Sequence, residues 1–122
     1  MNTGKKISGG RYKKNRKKKS YEISGQQRKV KLGEEKKRTK RTHGGNIKRF
    51  VLKTKFVNVH PKSGKGVAKK VEIKNVLETP SNRFLARQNI MTKGTIVETE
   101  LGKVKLTNRP SQEGIVNGIL VE

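Results

Sequence analysis

Residues 95–108 read TIVETELGKVKLTN, and their alternation of apolar and charged side chains predicts a β-hairpin. Leu101 and Gly102 form the predicted two-residue turn, because glycine adopts the positive φ that such a turn needs. The predicted opposing pairs are Glu100 with Lys103, Glu98 with Lys105, Val97 with Leu106 and Thr99 with Val104. Opposite charges then meet on one face and largely apolar side chains on the other. A slip of one residue would destroy both patterns.

Segments on either side of this hairpin also have strand composition. Residues 48–59 and 67–77 alternate around a turn rich in Gly and Pro, which predicts a second hairpin. The apolar phase shifts at Phe56, which predicts a bulge or a strand covered on both faces. Residues 115–121, IVNGILV, predict a central strand in which Gly118 permits close backbone approach. The expected fold class is all-β, a small antiparallel β-barrel-like domain with a long, extended, basic N-terminal arm.

Residues 83–89, RFLARQN, predict a short helix or an ordered loop. Phe84 and Leu85 are the side chains expected to reach the core. Arg83 and Arg87 are expected to face a phosphate group.

The first two-fifths of the chain have the opposite composition. Residues 5–49 contain 19 Lys or Arg residues and three acidic ones, and the chain carries net charge +16 up to residue 50 and +7 beyond it. Such a segment buries too little apolar surface to offset a backbone ordering cost of about 1–2 kcal/mol per residue. We therefore predict a basic arm over residues 1–47, disordered without a partner, and a folded domain over residues 48–122.

The total net charge of +23 implies a polyanionic partner. A membrane-binding arm usually places large apolar side chains on one face of a basic helix, whereas residues 5–49 contain neither Phe nor Trp. Nucleic acid is therefore the expected partner. A small basic DNA-compacting protein is the alternative to an RNA-binding protein, and a strong preference for folded RNA would exclude it.

Residue types that support catalysis or bind metals are scarce in this sequence. The chain has no Cys, and His43 and His60 lie far apart, so we expect no metal site and no cofactor. No nucleophile and base arrangement or phosphate-binding loop appears, so we expect no enzymatic activity, including RNA modification, and no small-molecule substrate. No signal peptide and no apolar run of about 20 residues occurs, so we expect a cytoplasmic protein without a membrane partner.

The arm contains several features that suit phosphate binding. Residues 13–19 hold six basic side chains in seven positions, and their mutual repulsion requires a neutralising anion. Tyr12 and Tyr21 flank this run and either stack on unpaired bases or pack against the domain. Residues 34–41 form a short helix when bound, and residues 43–46, HGGN, form a sharp turn. The contacts predicted on this basis are Tyr12, Lys13, Lys14, Lys19, Arg28, Lys29, Lys36, Lys37, Arg38, Lys40, Arg41, Lys48 and Arg49.

Four collinear blocks make the chain resemble the small-subunit ribosomal protein family "eight-e", shared by archaea and eukaryotes, in its shorter archaeal form. The blocks are SGGRYKKNRKKK at 8–19, KLGEEKKRTKRTHGGNIK at 31–48, NVLETPSNRFLARQNIMTKG at 75–94 and IVETELGKVKLTNRPSQEGIVNGILV at 96–121. The chain departs from the family pattern at residues 20–24, SYEIS, where the family usually has a basic residue and then Glu-Leu-Gly. It also departs at Ser111, where the family has Gly.

This resemblance implies a structural constituent of the small ribosomal subunit that binds and stabilises folded rRNA and supports subunit assembly and translation. It implies a β-barrel-like domain, an arm that threads through rRNA, and neighbouring small-subunit ribosomal proteins as further partners. The positions at which it implies rRNA contact are Gly9, Gly10, Arg11, Arg16, Lys17, Lys18, Gly44, Gly45, Asn46, Arg83, Arg87, Lys93, Gly94 and Arg109.

Overall fold

A computed structural model describes residues 4–13, 16–62 and 66–121 of the chain. Strands account for nearly all of the regular structure in these residues, which confirms the all-β prediction. The elements in chain order are β1 (Val30–Leu32), β2 (Lys36–Arg41), β3 (Ile47–Thr54), β4 (Phe56–His60), β5 (Lys69–Glu78), α1 (Arg83–Arg87), β6 (Ile90–Met91), β7 (Ile96–Thr99), β8 (Gly102–Leu106) and β9 (Asn117–Val121).

Five strands close into a barrel in the order β4-β5-β7-β8-β9. Four of the pairings around this barrel are antiparallel, as predicted. The fifth pairing joins β4 to β9 in parallel, with Val59 opposite Gly118, and closes the barrel. β9 therefore has a strand on each side, which confirms the central position predicted for this part of the chain.

A four-stranded sheet lies beside the barrel in the order β2-β3-β1-β6. β1 pairs in parallel with β3 and antiparallel with β6. Val30 of β1 is only 1% exposed and packs in one cluster with Val51 of β3 and with barrel residues such as Val97 and Val104. The sheet and the barrel therefore share one hydrophobic core.

The strands β1 and β2 lie on the N-terminal side of the boundary predicted between residues 47 and 48. Lys36–Arg41 is a strand and not the short helix expected over residues 34–41. The pairing with β3 explains this difference, because it supplies backbone hydrogen-bond partners to a segment that has no apolar helical face. A separate RNA-binding arm over residues 1–47, disordered without RNA, stays a prediction.

The hairpin of β7 and β8 is present, but its predicted register is wrong by two residues. Glu100 and Leu101 form the turn, and Thr99 Oγ1 donates a hydrogen bond to the Gly102 carbonyl at 2.9 Å. The observed opposing pairs are Ile96 with Lys105, Val97 with Val104, Glu98 with Lys103 and Thr99 with Gly102. A shift of two residues keeps every side chain on its predicted face, so the burial pattern does not distinguish the two registers. Gly102 has the expected positive φ, 118°, but directly after the turn.

The single strand predicted over residues 48–59 is two strands in two layers. β3 ends at Thr54, whose hydroxyl accepts a hydrogen bond from the Phe56 N–H and donates one to the Phe56 carbonyl, both at 3.2 Å. The chain bends at Lys55, and its carbonyl accepts a hydrogen bond from the Ile73 N–H at 2.7 Å. The apolar phase shift in the sequence marks this transfer from the sheet to the barrel, and not a bulge.

The segment after β5 forms the short helix α1. The Asn82 side chain caps it by accepting a hydrogen bond from the Phe84 N–H at 3.0 Å. Ala86 packs against the core and Leu85 is half-buried, whereas Phe84 is 71% exposed. The prediction that Phe84 reaches the core is therefore wrong, because this one-turn helix directs Leu85 and Ala86 toward the core instead.

We predict that Gly118→Ala destabilises the protein. A Cβ at residue 118 would lie 2.4 Å from Val104 Cγ1 and 3.0 Å from the Lys105 carbonyl oxygen, so β8 and β9 would have to move apart. We expect a loss of about 1–3 kcal/mol in the free energy of unfolding, measured by urea denaturation of the full chain. The matched control is Gly25→Ala, because nothing lies within 4 Å of that position. Equal stabilities for the two variants would contradict this account of the β8–β9 approach.

Candidate nucleic-acid interface

A groove between the root of the N-terminal segment, the start of α1 and the turn after β8 brings together four predicted contacts, Arg28, Lys29, Lys93 and Arg109. We call it the barrel groove. Its other lining residues are Gln27, Ser81, Asn82, Leu85, Met91, Thr92, Pro110 and Ser111. None of the described residues that line it is acidic, so no carboxylate in the lining neutralises its basic side chains.

A second groove shares Arg28 with the first and lies against the β2–β3 hairpin. We call it the hairpin groove, and its lining residues are Arg28, Lys40, Thr42, Lys48, Phe50 and Gln112. Lys40 and Lys48 are direct cross-strand partners. Like charges placed opposite each other destabilise a strand pair unless an anion lies between them. The two grooves therefore form one basic surface that joins the barrel to the hairpin.

Arg28 lines both grooves and contacts residues on each side of it. Its guanidinium carbon lies 3.8 Å from the centre of the Phe50 ring, and its Nη1 donates a hydrogen bond to the Ser111 carbonyl at 3.5 Å. The guanidinium covers Phe50, which is only 7% exposed. Arg28 therefore ties the end of the N-terminal segment to β3 and to the turn after β8, in addition to facing the grooves.

The turn that carries Arg109 is built by the Asn108 side chain. Asn108 Nδ2 donates hydrogen bonds to Glu113 Oε2 at 2.9 Å and to the Ile115 carbonyl at 2.7 Å, while its Oδ1 accepts one from the Asn117 N–H at 3.0 Å. Glu113 therefore has a structural role in this turn.

The turn that carries Lys93 is fixed by hydroxyl groups. The Thr92 N–H donates a hydrogen bond to Thr95 Oγ1 at 3.0 Å, and the hydroxyls of Thr92 and Ser81 lie 3.2 Å apart. Gly94 has φ 85° and donates from its N–H to the Leu106 carbonyl at 2.8 Å. This conformation favours glycine and leaves Lys93 exposed in the barrel groove.

The sharp turn predicted at residues 43–46 is confirmed and forms the tip of the β2–β3 hairpin. Gly44 and Gly45 have φ values of 73° and 74°. The Thr42 N–H donates a hydrogen bond to the Asn46 carbonyl at 2.7 Å, and Asn46 Nδ2 donates one to the His43 carbonyl at 3.1 Å. The predicted contacts Gly44, Gly45 and Asn46 therefore lie at an exposed tip.

The remaining predicted contacts in the N-terminal segment do not line either groove. Those that the structure describes are exposed, and they are Gly9, Gly10, Arg11, Tyr12, Lys13, Arg16, Lys17, Lys18 and Lys19. Lys14 lies outside the described residues. Tyr12 is 54% exposed and Tyr21 77% exposed, so neither ring is buried against the domain.

Arg16 and Glu22 form a two-pronged ion pair in this segment. Arg16 Nη1 and Nη2 donate hydrogen bonds to the two Glu22 carboxylate oxygens at 2.9 and 2.7 Å. The Arg16 hydrogen bonds, with that from the Lys19 N–H, hold the pKa of Glu22 below its usual range. Glu22 belongs to the SYEIS departure from the family pattern, so this chain supplies an internal carboxylate to a residue that the family resemblance assigns to rRNA.

Arg83 and Arg87 are exposed on α1 and line neither groove. Conversely, the sequence reasoning missed the polar groove residues Ser81, Asn82 and Thr92, because their sequence pattern is that of ordinary turn residues. It also missed Lys70, whose ammonium lies 4.4 Å from the Phe56 ring centre. Only the folded chain shows these side chains beside the basic ones.

Other classes of site find no support in the described residues. No group of three or more His, Asp or Glu side chains in residues 4–13, 16–62 and 66–121 is placed to hold a metal ion. Within the same residues, no helix has the length and apolar character required to cross a membrane.

Comparison with known proteins identifies the family. The sequence profile described as Ribosomal protein S8e matches residues 1–121. The chain belongs to the S8e family. A relative from Nanoarchaeum equitans, named small ribosomal subunit protein eS8, is 46% identical over 117 residues, which cover 95% of this chain and 91% of the relative. Proteins of the same name from Sulfolobus acidocaldarius and Ignicoccus hospitalis are 43% and 44% identical, covering 98% and 97% of this chain and 94% and 92% of the relatives. The archaeal-type family resemblance is confirmed.

We predict that Arg28→Ala loosens the attachment of the N-terminal segment in this S8e-family protein. The change removes the stack on Phe50 and the bond to Ser111, and we expect a loss of about 0.5–2 kcal/mol in the free energy of unfolding. Arg28→Lys keeps the charge but not the planar stack, so it should lose part of this stability. Lys29→Ala is the control, since it removes one neighbouring exposed charge. A loss for Lys29→Ala equal to that for Arg28→Ala would refute the stacking role.

The Arg16–Glu22 pair predicts a specific titration behaviour. NMR titration of the full chain should give Glu22 a pKa below that of an ordinary glutamate, and Arg16→Gln should move it back toward the ordinary value. Because the folded pKa is depressed, the pair is present above the ordinary glutamate pKa and is lost as pH falls through the lowered value. Lys17→Gln, a change of the same charge next to Arg16, should leave most of the Glu22 shift in place. An unchanged Glu22 pKa in Arg16→Gln would show that the pair does not persist in solution.

Proposed function

We propose that this S8e-family protein is a structural constituent of the small ribosomal subunit, as the names of its relatives state for them, and that it binds and stabilises folded rRNA without catalysis. It would support subunit assembly and translation, in the cytoplasm and beside other small-subunit proteins. The observation that carries the proposal is the convergence of Arg28, Lys29, Lys93 and Arg109 in a groove with no acidic lining among the described residues. These residues come from separate parts of the chain, so the fold itself assembles the basic surface.

The chemistry of the grooves favours the RNA backbone over the bases. Arg and Lys side chains neutralise phosphate oxygens, and the hydroxyl and amide groups of Ser81, Asn82 and Thr92 suit phosphate or ribose oxygens. The grooves show no exposed aromatic face for base stacking, since Phe50 is covered by Arg28. Recognition would therefore depend on RNA shape and on 2′-hydroxyl contacts more than on sequence.

The N-terminal residues would extend this interface along the RNA. Residues 13–19 are too densely charged to be stable against a low-dielectric surface without counter-charges, and phosphates provide them. Arg28 and the bond from the Val51 N–H to the Pro110 carbonyl, at 3.1 Å, would anchor the start of the folded region beside them. The part of the predicted arm that precedes Arg28 would then direct the chain away from the barrel, with its ordering coupled to RNA binding.

The decisive test is sedimentation of cell lysate through sucrose gradients at moderate and then high salt, with detection of this chain. We expect co-migration with the small subunit and with whole ribosomes at moderate salt, because many phosphate contacts are made together. Migration at the top of the gradient would contradict the proposal. Migration with nucleoid DNA would favour the DNA-compacting alternative.

We predict that removing the charges of the Lys-rich run blocks incorporation. A variant with Lys13, Arg16, Lys17, Lys18 and Lys19 changed to Gln should lose most of its occupancy in small subunits, at least about tenfold, because phosphate contacts add together. The charge-matched control changes five exposed lysines of the barrel side to Gln, namely Lys55, Lys69, Lys74, Lys103 and Lys105. If the two variants lose occupancy equally, net charge alone governs binding and the arm has no particular role.

A further inference from the structure

The β2–β3 hairpin differs from an ordinary surface hairpin because its distal part buries neither face. An antiparallel strand pair usually packs one face on the core and leaves the other to solvent. All six residues of Lys36–Arg41 are exposed, and so are Ile47, Lys48 and Arg49 of β3. Burial begins only at Phe50 and Val51.

Basic side chains occur on both faces of this hairpin. Cross-strand partners lie on the same face, and the pairing places Arg38 opposite Phe50 and Lys40 opposite Lys48 on what we call the first face. The opposite, second face carries Arg41 opposite Ile47, Thr39 opposite Arg49 and Lys37 opposite Val51. No acidic residue occurs between residues 36 and 49. At the base of the second face, Lys37 pairs with the Glu35 carboxylate at 2.6 Å. Closer to the tip, each face carries only positive charge.

The two faces open toward different parts of the molecule. The first face continues into the hairpin groove, where Lys40 and Lys48 lie with Arg28, and from there into the barrel groove. The second face leads to another surface depression, where Lys70 and the Lys37–Glu35 ion pair lie beside the exposed side chains of Phe56 and Ile115. One RNA segment in the grooves would reach the first face only.

Repulsion between basic side chains on each face of the hairpin favours an anionic partner for both faces. Lys40 and Lys48 repel each other directly, and Arg41 and Arg49 are diagonal neighbours on the second face. Ile47, 65% exposed, lies opposite Arg41 and offers an apolar contact next to a phosphate-binding group. A polyanion bound to the first face would leave the repulsion on the second face unrelieved, because the strands themselves separate the two.

The tip of the hairpin has two glycines at its centre, which keeps its bulk small. Gly44 and Gly45 form it without side chains, and nothing lies within 4 Å of the Cβ that Gly45 lacks. The Thr42 and Asn46 hydrogen bonds hold the turn closed, so that it does not need a partner for its shape.

We propose that the β2–β3 hairpin is inserted between two separate segments of folded RNA and bridges them, with Arg38, Lys40 and Lys48 against one and Arg41 and Arg49 against the other. The inference rests on the proposed function, since it specifies how the same protein would hold rRNA. Two RNA segments that repel each other would be held together by one positively charged strand pair.

The test places a photo-crosslinking side chain at Lys40 or, in a second protein, at the adjacent residue Arg41, in full chains within purified small subunits. The crosslinked nucleotides are then read by sequencing. Residues 40 and 41 are neighbours in the chain but lie on opposite faces, so we expect crosslinks to two RNA segments that do not pair with each other. Crosslinks from both positions to one segment, or from one position only, would overturn the bridging proposal.

Two charge-matched double variants provide a second measurement. Lys40→Gln with Lys48→Gln affects the first face, and Arg41→Gln with Arg49→Gln affects the second. In a plot of log affinity for subunit rRNA against log salt concentration, each double variant should make the slope shallower by roughly one to two. Each should also expose to chemical probes only the rRNA nucleotides of the segment that its own face contacts. Thermal unfolding of both variants shows whether the hairpin fold is retained. A folded variant that changes neither the salt dependence nor the protections would contradict the proposal for that face.

These outcomes separate the inference from the proposed function. A chain that sediments with the small subunit but gives no RNA crosslink at residues 40 and 41 would disprove bridging and leave the proposed function intact. An unmodified chain that does not sediment with the small subunit would disprove the proposed function itself.

Discussion

The close approach of β9 to β8 at Gly118 is the constraint on which the rest of the structure depends. Any side chain there would collide with Val104, so only a glycine lets β9 lie between β8 and β4 and close the barrel. Closure in turn fixes the position of β4. Because only Lys55 separates β3 from β4 in the chain, the position of β3 is then fixed as well. The position of the sheet, and with it the hairpin and both grooves, is therefore set by packing inside the barrel.

The protein separates a small apolar core from a large positive charge. The core consists mainly of valines contributed by six of the nine strands in the described residues, including Val30 from a segment whose composition is overwhelmingly polar. The basic side chains that the structure describes all remain outside, where they repel one another across the grooves and the hairpin. Because the chain provides few carboxylates of its own, with Glu22 and Glu35 paired locally to Arg16 and Lys37, most of this repulsion is left for a polyanion to relieve.

The sequence patterns predicted correctly which face of a strand a side chain lies on, but they did not predict its cross-strand partner. The alternation in residues 95–108 correctly divided inward from outward side chains, yet a register two residues away satisfies the same alternation, and the Thr99–Gly102 bond at the turn selects it. Residues 48–59 look like one strand because a one-residue bend at Lys55 changes the buried face without any Gly or Pro. Phe84 is apolar but exposed, since a one-turn helix capped by Asn82 can bury only part of its surface.

The sequence by itself determined the all-β class and the family, and it predicted a polyanionic partner, because alternation, collinear motifs and net charge are properties of the chain in any conformation. Only the tertiary structure decided which basic residues lie together. Long-range strand pairing brings into one groove Arg28, Lys29, Lys93 and Arg109. The alternation of a β-strand places Lys40 and Arg41 on opposite faces of the hairpin, although they are adjacent in sequence. The parallel pairing of β4 with β9 was equally beyond local patterns, because barrel closure joins segments whose own sequences do not specify each other.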